Sequence, residues 1–299
     1  CLSENSRKKI KKNEKYEILI NSKFKDGYLN FGELYKKGKT KSEIIFSTNI
    51  CHPSLGNNEL SGILIATALS KYLEKIKCFY SYRIVFVPET IGALCFLKKN
   101  KSNLKRVKAG FVLSCLGDNK NFSLLHSPYR NNLADKVSKF NYEYNKYKYK
   151  SFSYLKRGSD ERQYCAPKFN LPFCTLMRTR FGDYKEYHTS LDNLEFITAK
   201  ALENSFQMIV SLIKILENNK KYISNVHGEP FLTKYNLKNE ISGFNRPLKK
   251  DTKTILDLVA YSNGKNDLID ISRYLNKDFN YLSQIANKLE KLKIIKSIK

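Results

Sequence analysis

The sequence predicts an α/β fold, a mainly parallel sheet flanked by helices, followed by a small C-terminal winged-helix-like domain. Three observations carry this. The apolar runs at 44–50, 82–88, 109–116 and 172–177 are nearly continuous, as in strands buried on both faces. Segments with helical spacing stand between and after them, and strands that alternate with helices pack as crossover units on a parallel sheet. The last fifty residues hold three short helical patterns and a terminal apolar pair, the outline of a winged helix.

In chain order, Tyr16 to Ile20 alternates weakly, Lys25-Asp26-Gly27 signals a turn, and Tyr28 to Leu34 alternates at period two, so residues 15 to 35 are expected as a hairpin. Lys37-Gly38-Lys39 breaks to the strand at 44–50. A polar turn, Cys51 to Gly62, then opens a helix whose apolar positions are Ile63, Ala66, Leu69 and Leu73. Pro88 ends the next strand, Glu89-Thr90 follows, and a short helix is expected from Ile91 to Lys98. Gly117-Asp118 closes the strand at 109–116. Leu133, Val137 and Phe140 share one helical face, and an amphipathic helix is expected from Thr198 to Leu216 with Thr198 as its cap. The expected domains are an α/β domain over 1–220, a linker or hairpin over 221–250 where the pattern dissolves, and a winged-helix-like domain over 251–299.

Composition narrows the partners. The net charge of +26 invites nucleic acid, but 44 of the 54 basic residues are scattered lysines and ten are arginines. Abundant Lys, Asn, Ile and Tyr is what AT-rich codons produce, so compositional drift explains the charge better than a ligand does. A nucleic-acid contact is therefore expected only through 251–299, where Lys288, Lys291 and Lys293 could meet phosphates. No run of eighteen apolar residues occurs, so no membrane-spanning helix is expected. Seven cysteines without a Cys-x-x-Cys pair suit reduced, buried thiols in a cytoplasm. The chain opens on Cys1-Leu2-Ser3 rather than Met, and a longer N-terminal part is expected to precede it.

Polar clusters fall where strands end: His52 with Asn58 and Glu59, then Glu89, then Tyr187-His188 through Asp192-Asn193. The charged run Arg157 to Arg162, with Asp160 inside it, lies between the last two. Each cluster alone reads as a cap, a surface pair or a solvated loop. Together they lie in loops after strands, and in open α/β sheets such loops converge on one crevice. Imidazole and carboxylate are good zinc ligands, and a glutamate off the metal can take a proton from water. No Gly-x-Ser-x-Gly elbow and no glycine-rich phosphate loop is present, so serine-esterase and nucleotide-binding motifs are missing.

His52, Asn58-Glu59-Leu60-Ser61-Gly62, Pro88-Glu89-Thr90-Ile91-Gly92 and Tyr187-His188-Thr189 resemble, in order, the landmarks of zinc aminopeptidases related to bacterial leucyl aminopeptidase. With Cys51-His52-Pro53-Ser54, Arg157 to Cys165 and Glu186 to Asp192 added, the chain is similar to an aminopeptidase-like family associated with surface-polysaccharide biosynthesis. The resemblance covers essentially the whole chain and implies a zinc-aminopeptidase, phosphorylase/hydrolase-like fold with a C-terminal winged helix.

It also implies roles. Glu89 is the expected general base. One zinc ion is expected on His52, His188 and a carboxylate, with Glu59 and Asp160 the candidates. Asn58, Arg157, Arg162 and Tyr187 are the expected substrate-binding residues. The implied substrate is a small peptide or another acylated amine, cleaved at an amide. The departures from the active pattern are Asn58 where a metal-bridging aspartate stands, Thr90 where a second glutamate stands, and Ser114 where a further aspartate stands. They keep a second reading open, a degenerate peptidase fold that binds without hydrolysing.

Overall fold

The computed structural model describes residues 2–237 and 250–298, and the chain forms two compact units, 1–210 and 211–299. A short exposed helix α1 (Glu4–Lys8) comes first. The first unit then runs through β1 (Gly32–Lys36), β2 (Glu43–Asn49), α2 (Ser61–Glu74), β3 (Ser81–Val87), α3 (Ile91–Lys99), β4 (Val107–Leu113), β5 (Phe122–Leu125), α4 (Leu133–Tyr144), β6 (Tyr149–Phe152), the one-turn α5 (Glu161–Tyr164) and β7 (Phe173–Met177). The 20-residue α6 (Ala199–Asn218) begins in this unit and ends in the next.

Seven strands make one sheet in the order β1-β3-β2-β4-β7-β5-β6. The central run β3-β2-β4-β7 is parallel throughout. β1 joins β3 antiparallel, β5 joins β7 antiparallel, and β6 lies parallel to β5 at the far edge. The middle strands are apolar on both faces because helices cover both, and every residue of β2 is buried. Phe46 stacks on Phe111 at 5.2 Å, while on the other side of the core Tyr164 stacks on Phe173 at 4.1 Å.

Two expectations about the chain are corrected here. No strand forms over 16–20, where Ile18, Leu19 and Ile20 are exposed. The expected hairpin partner of 28–34 is thus absent; β1 pairs with β3 instead, Leu34 opposite Ile84. The physical reason is that a short, weak alternation supplies no buried face, whereas β3 offers a ready-made sheet edge. β5 and β6, four residues each, are too short for a periodicity reading and were not expected.

The second unit continues with β8 (Lys221–Ser224), α7 (Lys250–Tyr261), β9 (Asn263–Asp267), α8 (Leu268–Leu275), α9 (Phe279–Lys291) and β10 (Ile295–Ile298). Its three strands are ordered β10-β8-β9. Lys221–Ser224 is therefore the central strand of the winged-helix sheet, not part of a linker, and the rest of the expected 221–250 segment lies partly outside the described residues, at 238–249. Asp267 caps α8 by accepting the Asp270 N–H, and the Asp270 carboxylate accepts the Asp267 N–H in return. Among the described residues no helix is long and apolar enough to cross a membrane.

Candidate functional site

The turn between β2 and α2 is wide. Leu60 N–H reaches back five residues to the Leu55 carbonyl across 3.1 Å, making a π-type turn over Gly56–Leu60. Its geometry depends on close backbone approach at Gly62, where a Cβ would stand 2.4 Å from Thr48 Oγ1 and 2.6 Å from the Leu113 carbonyl. The wide turn points Glu59 back at His52. Glu59 is 1 % exposed, its Oε2 lies 2.9 Å from His52 Nδ1, and the same oxygen accepts the His52 backbone N–H.

Cys51 completes the group. Its Sγ is 3.1 Å from His52 Nδ1 and accepts the Glu89 backbone N–H at 3.2 Å. Ligand atoms of Cys51, His52 and Glu59 all lie within 4.8 Å of one another. Burial, together with the nearby carboxylates of Glu59 and Glu89, raises the Cys51 thiol pKa. His188 is brought in by ring contact: its imidazole stacks on His52 at 5.3 Å between centroids and on Tyr187 at 4.0 Å. His188 holds a left-handed φ of 56°, a conformation that costs energy in a non-glycine residue and is common at functional sites.

The second wall comes from the β3 end and α5. Thr90 also holds a left-handed φ, 66°, and its N–H donates to Asp160 Oδ1 at 2.7 Å. Asp160 Oδ2 is buried without a hydrogen-bond partner. Burial pushes the Asp160 carboxyl up to about 7, helped by the nearby Glu89 charge and opposed by the Thr90 bond. Arg162, on the surface, donates to Thr90 Oγ1 at 3.0 Å.

A third residue ties the walls together. Asp192 is fully buried, and its two carboxylate oxygens accept the Asn57 and Asn58 backbone N–H groups, the latter at 3.1 Å. Tyr184 donates its hydroxyl to the same carboxylate at 3.3 Å. The loop carrying His188 and the turn carrying Glu59 are thus fastened by one anion at the start of the wide turn.

The structure therefore brings together His52, Glu59, His188, Tyr187 and the Glu89-Thr90 turn. Asp160 sits behind Thr90 as an acceptor, and among the described residues neither it nor His188, which stacks on His52, is one of the clustered donors. Asn58 turns its side-chain oxygen toward Cys115 at 3.9 Å, and the Ser114 hydroxyl donates to its carbonyl at 2.9 Å. Arg157 is exposed and lies over the Tyr154 ring. Sequence reasoning passed over Cys51 and Asp192 as site residues. Adjacency to His52 was the available signal for Cys51; nothing in the sequence marks Asp192 apart from its place in the His188 run.

The donor chemistry suits zinc. A thiol, an imidazole and a carboxylate are each ordinary zinc ligands, here with their ligand atoms within 4.8 Å of one another, and the Asp160 Oδ2 nearby is buried without a hydrogen-bond partner. Residues 10–219 match the model of a family described as a domain of unknown function, DUF4910. The chain belongs to that family. Residues 220–297 match a winged helix-turn-helix model. A Clostridium acetobutylicum protein, a candidate polysaccharide biosynthesis protein with an aminopeptidase-like domain, is 34% identical over 284 residues, covering 95% of this DUF4910 chain and 65% of its own length. A crystal structure of a candidate peptidase from the same organism superposes with a TM-score of 0.83 at 32% identity, covering 99% of this chain and 67% of that one. A zinc aminopeptidase from Bacillus subtilis shares the fold at a TM-score of 0.52 and 16% identity, over 62% of this chain and 49% of its own. The DUF4910 chain thus has an aminopeptidase-like fold, and it spans 65% of the curated relative's length.

Proposed function

We propose that this chain is a zinc-dependent, aminopeptidase-like hydrolase that cleaves an amide bond of a small peptide or acylated amine, in polysaccharide biosynthesis. The observation that supports this best is the convergence of Cys51, His52 and Glu59 beside His188, at the mouth of parallel strands in an aminopeptidase-like fold. The role in polysaccharide biosynthesis rests on the name of the Clostridium relative.

His52, Glu59 and Cys51 would hold one zinc ion, with the His188 ring stacked beside His52. When bound, the ion would supply a Lewis acid for the amide carbonyl and acidify water at neutral pH. Glu89 takes the proton of the attacking water and returns it to the leaving amine as the C–N bond breaks. Asp160 fixes the Glu89-Thr90 turn through the Thr90 N–H, so the base stays where the strand ends. Tyr187, half-buried beside His188, and Arg162, on the Thr90 hydroxyl, line the approach and orient the substrate. Arg157 would contact the more distant part of the substrate.

The test is metal content with turnover. Purified protein should carry about one zinc per chain and hydrolyse aminoacyl-amides or N-acyl amino sugars. Bound zinc without turnover would instead favour a binding protein on a peptidase fold, the reading to which Asn58, in place of a carboxylate, lends support.

A nucleic-acid role has its own observation. On α9 the exposed residues Asn280, Gln284, Asn287, Lys288 and Lys291 recur at helical spacing on one face, amides that can read adenine beside lysines that can meet phosphate. This would add a regulatory contact to the hydrolase.

A further inference from the structure

A second constellation lies away from the metal-binding residues, at the far edge of the sheet. His126 follows β5 directly. Its Nδ1 is 2.7 Å from Asp135 Oδ1 and its Nε2 is 2.8 Å from Ser151 Oγ. Asp135 stands in the first turn of α4 and Ser151 on β6, so three separate elements deliver one row of hydroxyl, imidazole and carboxylate.

The surrounding hydrogen bonds fix the tautomer. Ser127 Oγ accepts from Asn132 Nδ2 at 2.7 Å and from the Arg130 N–H at 3.3 Å, so its own proton goes to Asp135 Oδ2. The Ser127 backbone N–H donates to Asp135 Oδ1 at 3.1 Å. The Asp135 side chain thus accepts from Ser127 at both oxygens. His126 Nδ1 must carry the proton that faces it, which leaves the Nε2 lone pair aimed at the Ser151 hydroxyl. That is the arrangement by which a serine is activated: nucleophile on base, base held by an acid.

Access and charge stabilisation are also met. His126 and Asp135 are buried, but Ser151 is exposed. β6 ends the sheet. The Phe122 and His126 N–H groups donate to the Lys148 and Phe152 carbonyls, so the alternate residues 148, 150 and 152 turn their backbone toward β5. Ser151, between them, turns its N–H to the open side of the edge. A nucleophile's own N–H, unpaired by a neighbouring strand among the described residues, is a donor of the oxyanion-hole kind.

We propose that Ser151, His126 and Asp135 form a second, metal-independent site that hydrolyses small carboxylic esters. Ser151 Oγ attacks the ester carbonyl while its proton passes to His126 Nε2. The acyl C–O bond breaks, and the leaving alkoxide takes that proton. Water, deprotonated by His126, then releases the acid and restores Ser151, so ester and water give acid and alcohol. Asp135 is the positioning residue. The site needs no Gly-x-Ser-x-Gly elbow because an exposed edge strand presents the hydroxyl instead. It does not depend on the zinc reading.

The experiment uses the full chain with EDTA present, a fluorophosphonate probe, and peptide mapping by mass spectrometry. Wild-type protein should form a covalent adduct at Ser151 and hydrolyse p-nitrophenyl acetate. Ser151→Ala should abolish the adduct, and His126→Asn should slow labelling by about 100-fold or more, the usual range for a general base. Asp135→Asn should slow labelling too, with partial rescue in Asp135→Glu, which a merely structural carboxylate would not show. Circular dichroism confirms folding of each variant. Folded wild-type protein without an adduct at Ser151, or labelling that is unchanged in folded His126→Asn, would overturn the proposal.

Discussion

Thr90 and Asp160 are joined by a 2.7 Å hydrogen bond from the Thr90 N–H, and Thr90 adopts a φ of 66° to make it. The left-handed residue follows Glu89 directly, so the backbone turn that carries the candidate base is held by a buried carboxyl seventy residues further along the chain. A β-branched residue in this conformation carries strain of order 1–3 kcal/mol, and the surrounding contacts offset it.

That carboxyl makes stability depend on pH. Asp160 has an unfolded value near 3.8 and a folded one of about 7, raised chiefly by burial. Between these values the native state holds a proton that the unfolded chain has released, so raising the pH from 4 to 8 withdraws stability. Urea unfolding of EDTA-treated protein should show this loss, and Asp160→Asn should flatten the profile over the same window. An unchanged profile in the variant would show that Asp160 is ionised throughout.

Metal binding should fail selectively. If zinc sits on Cys51, His52 and Glu59 as proposed, His52→Ala and Glu59→Gln should weaken its binding by more than the roughly 10–100-fold that follows loss of an outer partner. Glu89→Gln should keep the zinc and lower turnover by about 10²–10⁴-fold. Titration calorimetry and a steady-state assay read the two effects separately.

Packing between β4 and β7 leaves no room at Gly110. A Cβ there would meet the Phe173 ring at 2.2 Å, and that ring cannot retreat because Tyr164, two residues from Arg162, stacks on it at 4.1 Å. Gly110→Ala should therefore destabilise by about 1–3 kcal/mol. A urea midpoint equal to that of wild type would contradict this.

Nucleic-acid binding, if α9 mediates it, should be salt-dependent. In a gel-shift series with duplex DNA and the full chain, Lys288→Ala and Lys291→Ala should each lower the salt slope by about 1. No shift at low salt would leave the net charge as compositional drift.

The main strands and helices could be read from the sequence because burial on both faces writes continuous apolar runs and amphipathic helices write a 3.6-residue period. The runs around β2, β3, β4 and β7 did so, as did α2, α6, α8 and α9. The failures share a cause. β5, β6 and β8 are four residues long, too short to show a period, and 16–20 alternates without finding a sheet edge. For the candidate site, strand ends pointed to His52, Glu59, Glu89 and His188, since loops after parallel strands converge.

By itself, then, the sequence determined the fold class, the family resemblance and the residue types that gather at the strand ends. Only the tertiary structure decided which atoms meet. Cys51 joins His52 and Glu59 because a π-type turn swings Glu59 back, while Asp160 stands outside that group with one oxygen on the Thr90 N–H. His126, Asp135 and Ser151 form a row only because an edge strand, a loop and a helix end are packed within hydrogen-bond reach. Hydrogen-bond geometry is fixed to a few tenths of an ångström, whereas sequence spacing constrains position only along one element at a time.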